Sequence, residues 1–128
     1  MNLLLDTCAF LWAMEEPDRL PETVTGYFDD PGCTLYLSAV TVWEIAVKCG
    51  LGKLDLPDSP EVFLPKAIQE FRLTPLPLQV AEAVLVAKLP AHHRDPFDRM
   101  LLCQAMAHNL TILTPDRLIR QYGVPCLW

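Results

Sequence analysis

The chain has 128 residues, 52% hydrophobic and 20% charged, which suits one core; a second domain would need about 100 further residues. That composition excludes a disordered tail, a collagen-like repeat and a coiled coil. Sixteen acids against ten bases give a net charge of −6, which excludes a passive nucleic-acid binder held by phosphate contacts.

Asn2-Leu3-Leu4-Leu5 is too short for a helix and reads as a buried strand. It ends at Asp6-Thr7, and Cys8 to Met14 then reads as a helix that stops before Pro17. Pro21 to Asp29 is predicted helical with Pro21 at its first position. Pro31-Gly32 marks a turn before a strand over Thr34-Leu35-Tyr36-Leu37. Ser38 stands as an N-cap, and Ala39 to Cys49 continues as a helix ended by Gly50. Ser59-Pro60 opens a helix whose apolar stripe is Phe63, Leu64, Ala67, Ile68 and Phe71. Pro75 and Pro77 confine Thr74 to Leu78 to a sheet edge.

Gln79 to Leu89 reads as a mostly apolar helix, polar only at Gln79, Glu82 and Lys88, and therefore deeply buried or packed on another protein. Asp95-Pro96 carries the strongest start signal in the chain, and the helix it opens runs to about His108, with Asn109 as terminator. Thr111 to Leu113 is a strand, Asp116 to Tyr122 a short helix, and Pro125 to Trp128 a last strand. Strands alternating with helices imply a single-domain α/β fold over residues 1–128, a parallel sheet covered on both faces in three layers.

The five cysteines are an odd number, spread singly. They argue against a disulfide framework and against a zinc ribbon, and fit reduced thiols. Asp6 interrupts the N-terminal apolar run before it resembles a secretory leader. No run approaches the roughly 20 apolar residues of a membrane span. A soluble, cytoplasmic protein with no membrane partner is the expectation.

Ligands of open α/β sheets bind beyond the carboxyl ends of the strands. Asp6 and Asp116 fall at or just after such ends, while Glu44 and Asp98 lie early in the helices that follow. Each also has a plain structural reading. Asp6 and Asp116 suit helix caps, Glu44 suits an i,i+4 pair with Lys48, and Asp98 is favoured by the helix dipole. The apolar neighbours Val40, Val42, Trp43, Ile45, Ala46 and Val47 require a partner for Glu44, either a base or a metal. Asp95 is explained as the cap, with a supporting position behind the site as its alternative, which leaves Asp98 as the functional acid. Clustered carboxylates repel and need protons, bases or cations. Oxygen-only ligands favour Mg²⁺ or Mn²⁺, and such ions drive phosphodiester hydrolysis.

Four segments carry a resemblance: Leu3-Leu4-Leu5-Asp6-Thr7, the run from Ser38 through Trp43-Glu44-Ile45, His93-Arg94-Asp95-Pro96-Phe97-Asp98-Arg99, and Ile112-Leu113-Thr114-Pro115-Asp116. In this order and in a chain of this length they resemble the PIN-domain ribonucleases, and more narrowly the VapC toxins of toxin–antitoxin pairs. The resemblance implies a Rossmann-like α/β/α sandwich and an acid quartet, Asp6, Glu44, Asp98 and Asp116, holding Mg²⁺ with Mn²⁺ as substitute. It implies RNA hydrolysis by metal-activated water, leaving a 3′-hydroxyl and a 5′-phosphate. It further implies a homodimer silenced by a VapB-type antitoxin; the hydrophobic surface of the helices spanning residues 59–89 is expected to be the dimer or antitoxin contact. The sequence departs from the family pattern at Leu102 and Cys103, where small residues are usual, and at Pro115, where arginine is common.

Arg94 and Arg99 are candidate phosphate contacts beside His92 and His93, with a solvated loop as an equal reading. Thr7 and Thr114 are candidates to bond the acids, a metal-bound water or substrate, with helix and turn duty as the alternative. Trp12, Trp43 and Phe97 read as core or dimer contacts in preference to base-stacking platforms. Two other functions compete: a non-catalytic PIN-fold protein-binding module, and an aspartate-based phosphohydrolase. The second is disfavoured because Asp6-Thr7-Cys8 lacks the further acid two positions on.

Overall fold

The computed structural model describes residues 1–128. In chain order the elements are β1 (Asn2–Leu5), α1 (Thr7–Glu15), a 3₁₀ turn (Pro17–Arg19), α2 (Glu22–Asp29), β2 (Thr34–Ser38), α3 (Ala39–Gly50) and α4 (Pro60–Glu70). Then come β3 (Thr74–Leu76), α5 (Val80–Val84), a second 3₁₀ turn (Leu85–Lys88), α6 (Pro96–His108), β4 (Thr111–Leu113), α7 (Arg117–Arg120) and β5 (Cys126–Leu127). The five strands form one sheet in the order β3-β2-β1-β4-β5, with every pairing parallel. The expected α/β sandwich is therefore present.

Alternation along the central strands builds the layers. Leu3 and Leu5 of β1 pack into one core with Phe10, Val24, Leu37, Ile45 and Leu64. Leu4 points the other way, into a second core with Val40, Leu101, Leu102, Ile112 and Ile119. The chain adds β2 and β3 on one side of β1, then β4 and β5 on the other. The order thus reverses between β1 and β4, and a crevice opens there beyond the strand ends.

Local signals placed most boundaries, with three corrections. Pro21 is the N-cap of α2 and not its first residue. Gly50 lies inside the last turn of α3; Gly52 takes the left-handed conformation at φ 70°. There Gly52 N–H bonds Cys49 O at 3.1 Å and Lys53 N–H bonds Lys48 O at 2.9 Å, a closure that glycine makes without a Cβ penalty. The third correction is larger. Gln79 to Leu89 is a five-residue helix followed by a 3₁₀ turn, and its orientation is inverted. Val80 and Val84 are 83% and 65% exposed, while Glu82 is 4% exposed. A buried polar network overrides the hydrophobic pattern: Glu82 accepts from Gln104 Nε2 at 3.4 Å, pairs with His108 and closes a capping box with Gln79. Gln104 in turn bonds Ser38 and the carbonyl of Pro77.

No helix is long and apolar enough to cross a membrane.

Candidate active site

Asp6 leaves β1 and caps α1, its Oδ1 accepting the Ala9 N–H at 2.7 Å. Its Oδ2 accepts the hydroxyl of Thr114, which follows β4. The two strand ends are tied by the Asp6 N–H to Leu113 O bond at 3.2 Å. Thr114 Oγ1 also accepts the N–H of Asp116 at 3.0 Å, so one buried hydroxyl links two acids. Asp116 itself caps α7, its Oδ1 accepting the Leu118 N–H at 2.9 Å.

Glu44 arrives from α3, which Ser38 caps through the Val40 N–H at 2.9 Å. Its carboxylate is buried and has two partners: Thr7 Oγ1 donates at 2.6 Å, and Lys48 forms the i,i+4 ion pair. Asp98 comes from the first turn of α6. Asp95 caps that helix by accepting from Phe97 N–H at 2.9 Å and Asp98 N–H at 3.1 Å, and the Asp98 carboxylate meets His93 Nε2 at 3.3 Å. Three of the four candidate acids are thus held at helix N-termini, two of them as caps, where the backbone dipole favours negative charge.

All four acids border one cleft of about 440 Å³, also lined by Thr7, Cys8, Leu11, Trp12, Lys48 and Pro115. Lys48 is the sole basic side chain of that lining, and Glu44 already holds it. Burial pushes the Asp6 carboxyl up to about 7, with further upward pushes from Asp98 and Asp116 against the bonds from Thr114 and Ala9. Burial also raises Asp98 to about 6, reinforced by Asp95, Glu44 and Asp116 and opposed by His93. The cleft therefore holds more negative charge than its own bases balance.

An all-oxygen donor set with uncompensated charge matches a hard divalent cation in kind. The side chains have not gathered around one: no three His, Cys, Asp or Glu groups stand close enough together to hold a single ion. Each carboxylate instead turns to its own partners: Thr114 for Asp6, Thr7 and Lys48 for Glu44, and His93 for Asp98.

The remaining candidates separate clearly. Thr7 and Thr114 are buried and donate to Glu44 and Asp6, so they orient the acids. Arg99 stands outside the cleft lining, its guanidinium engaged by Pro90 O at 2.8 Å, Tyr122 Oη at 3.1 Å and Leu89 O at 3.3 Å. It ties the loop before α6 to the body of the protein. Arg94 is exposed and outside the lining. Sequence reasoning missed Lys48 as a cleft residue, although its i,i+4 spacing from Glu44 signalled the pair. It also missed Cys8, Leu11 and Trp12 as wall residues, for which the sequence carried no separate signal.

A PIN domain family model matches residues 3–125. No curated protein sequence matches the chain. Among solved structures, VapBC2 from Rickettsia felis bound to a promoter DNA fragment gives a TM-score of 0.76 at 15% identity, covering 100% of this chain and 98% of that one. DNA-bound VapBC from Salmonella typhimurium gives 0.73 at 20% identity, covering 99% and 97%. FitAcB from Neisseria gonorrhoeae gives 0.63 at 22% identity, covering 98% and 96%. These likenesses carry the fold. The family match spans nearly the whole sequence, and by it this chain belongs to the PIN domain family.

Proposed function

We propose that this protein is a metal-dependent endoribonuclease, the toxin of a VapBC-type toxin–antitoxin pair. One observation carries the reading: four acids from four separate segments border a single cleft at the switch point of the sheet. Asp6, Glu44, Asp98 and Asp116 would hold Mg²⁺, or Mn²⁺ in its place. Such an ion lowers the pKa of a bound water and clamps a phosphate oxygen, the two requirements of phosphodiester hydrolysis.

The protein's own groups prepare the site. Thr114 fixes Asp6 and the backbone of Asp116 together, Thr7 orients Glu44, and His93 orients Asp98. Asp95 supports Asp98 by capping its helix. The partner side of the reading draws on the solved VapBC and FitAcB assemblies, whose chains this one is similar to in fold. It also draws on the exposed apolar residues Leu78, Val80 and Val84 at and just before α5, suited to contact with a second copy or an antitoxin.

Cleavage of single-stranded RNA in Mg²⁺ or Mn²⁺ and its loss in EDTA is the expected result. Asp98→Asn should remove activity while leaving the melting temperature near the native value. Full activity in that variant would remove Asp98 from the site.

A second reading, a non-catalytic PIN-fold binding module, draws on the Glu44–Lys48 pair and the separation of the carboxylates. Calorimetry decides between them: the nuclease binds Mn²⁺ and the module does not.

A further inference from the structure

The acid cleft poses a problem of grip. Its lining holds four acids and one base, and that base is already paired. A nucleic-acid strand therefore gains little there from basic side chains on its phosphates, the usual source of affinity. One wall of the cleft is of different character. Cys8, Leu11 and Trp12 line it from α1, at i, i+3 and i+4, a single face of the helix.

Trp12 is half-buried: it packs against the first core and still lines the cleft. The 3₁₀ turn Pro17–Arg19 folds the chain back so that the Arg19 guanidinium carbon lies 3.9 Å from the Trp12 ring centroid. Arg19 is anchored by Glu16 at 2.9 Å, yet its side chain is 54% exposed. Trp128, at the other end of the sequence, meets Trp12 at 5.7 Å between centroids and 59° between planes, which helps to fix the indole in place. The result is a guanidinium layered on an immobilised indole at the edge of the cleft. Unpaired nucleobases are recognised by stacking on aromatic rings or on arginine planes, and such stacking tolerates any base.

We propose that Trp12 with Arg19 layered on its ring forms a nucleobase subsite, a stacking platform for one unpaired base of the RNA strand lying in the acid cleft. This rests on the nuclease reading above and adds where the strand is gripped. The platform supplies the attraction that an acidic cleft withholds from the phosphates. It also gives a preference for single-stranded over paired RNA, since a base in a duplex cannot reach a flat platform with its face.

The test is steady-state cleavage of one short unstructured RNA and of copies carrying a single abasic residue at successive positions around the scissile bond. For the native protein, one position should raise KM about tenfold when its base is removed, with kcat kept within twofold. Trp12→Ala and Arg19→Gln should each raise KM on the intact RNA by a similar factor and lose the sensitivity at that position. Trp12→Phe should keep most of it. Arg19 is exposed, so Arg19→Gln folds even where Trp12→Ala fails to, and melting temperatures separate the two cases. An unchanged abasic profile and a native KM in Arg19→Gln, or a native protein with no sensitive position, overturns the subsite and leaves the nuclease reading standing. A native protein that cleaves no RNA overturns both.

Discussion

At the scale of single residues, the buried acids of the cleft and the buried Glu82 carry opposite pH signatures. Asp6 is buried to 3% exposure and its carboxyl is pushed up to about 7, against an ordinary aspartate value near ~3.9. Between those values the folded chain holds more protons than the unfolded one, so stability falls as pH rises toward 7. The metal-free protein should therefore be more stable at pH 5 than at pH 8, by on the order of 2–3 kcal/mol from Asp6 alone, and melt at a higher temperature there. Asp98, raised to about 6, acts in the same direction. Glu82 does not interfere. Burial pushes its carboxyl up, but the Gln79 N–H, His108 and Gln104 outweigh that and hold it below its ordinary range, so its stabilisation is lost only in more acid solution. Thermal melts in EDTA at the two pH values check this, and Asp6→Asn should flatten the difference by raising stability at pH 8.

Thr114 offers a sharper residue-scale test, because its hydroxyl touches both Asp6 and the backbone of Asp116. Thr114→Val keeps the shape and removes both bonds. Orienting groups of this kind typically cost 10–100-fold when lost. The expected outcome is a Mn²⁺ affinity and an RNA cleavage rate both reduced by about that factor, read by calorimetry and by gel.

At the scale of elements, α6 and the α5 segment are coupled through polar groups, not only through apolar packing. Leu101, Leu102 and Ala105 bury one side of α6, while Gln104 and His108 reach Glu82. Glu82 is thus both the N3 residue of a capping box and the acceptor of a buried network. Glu82→Ala should cost about 2–3 kcal/mol, since it leaves Gln104 unsatisfied in the interior and frees the helix start. Urea melts measure this directly; a loss below about 0.5 kcal/mol would mean the network contributes nothing net. The same element explains the exposed valines. Once Glu82 is drawn inward, Val80 and Val84 must face solvent on so short a helix.

At the scale of the whole molecule, those valines and the nearby Leu78 leave apolar surface on one side, distant in sequence from the acids. Where such side chains form one contiguous patch, they favour a contact with another protein. If it joins two copies, the native chain sediments as a dimer, and the double variant Val80→Glu/Val84→Glu sediments as a monomer with an unchanged melting curve. A native chain that is monomeric at all concentrations assigns the surface to another partner.

Much of the molecule was legible before its structure. Caps at Asp6, Ser38, Asp95 and Asp116 and the terminator at Asn109 depend on bonds within about four residues, so their signals sit in neighbouring positions. The strand–helix alternation and the parallel sheet followed from them. The acids were legible as candidates for the same reason: each lies at a strand end or in an early helix turn that the local pattern marks. Their meeting at one cleft was expected only through the strand-end rule and the family resemblance, because it depends on the reversal of strand order between β1 and β4. Three further points were decided by partners distant in the chain. Arg99 was taken up by carbonyls and Tyr122, Trp12 was placed on the cleft wall, and α5 was turned inside out by Gln104 and His108. The sequence by itself determined the elements, their order and the supply of acids, because those are properties of short stretches of chain. Only the tertiary structure decided which side chains face the cleft, because that choice rests on burial and hydrogen bonds made across the fold.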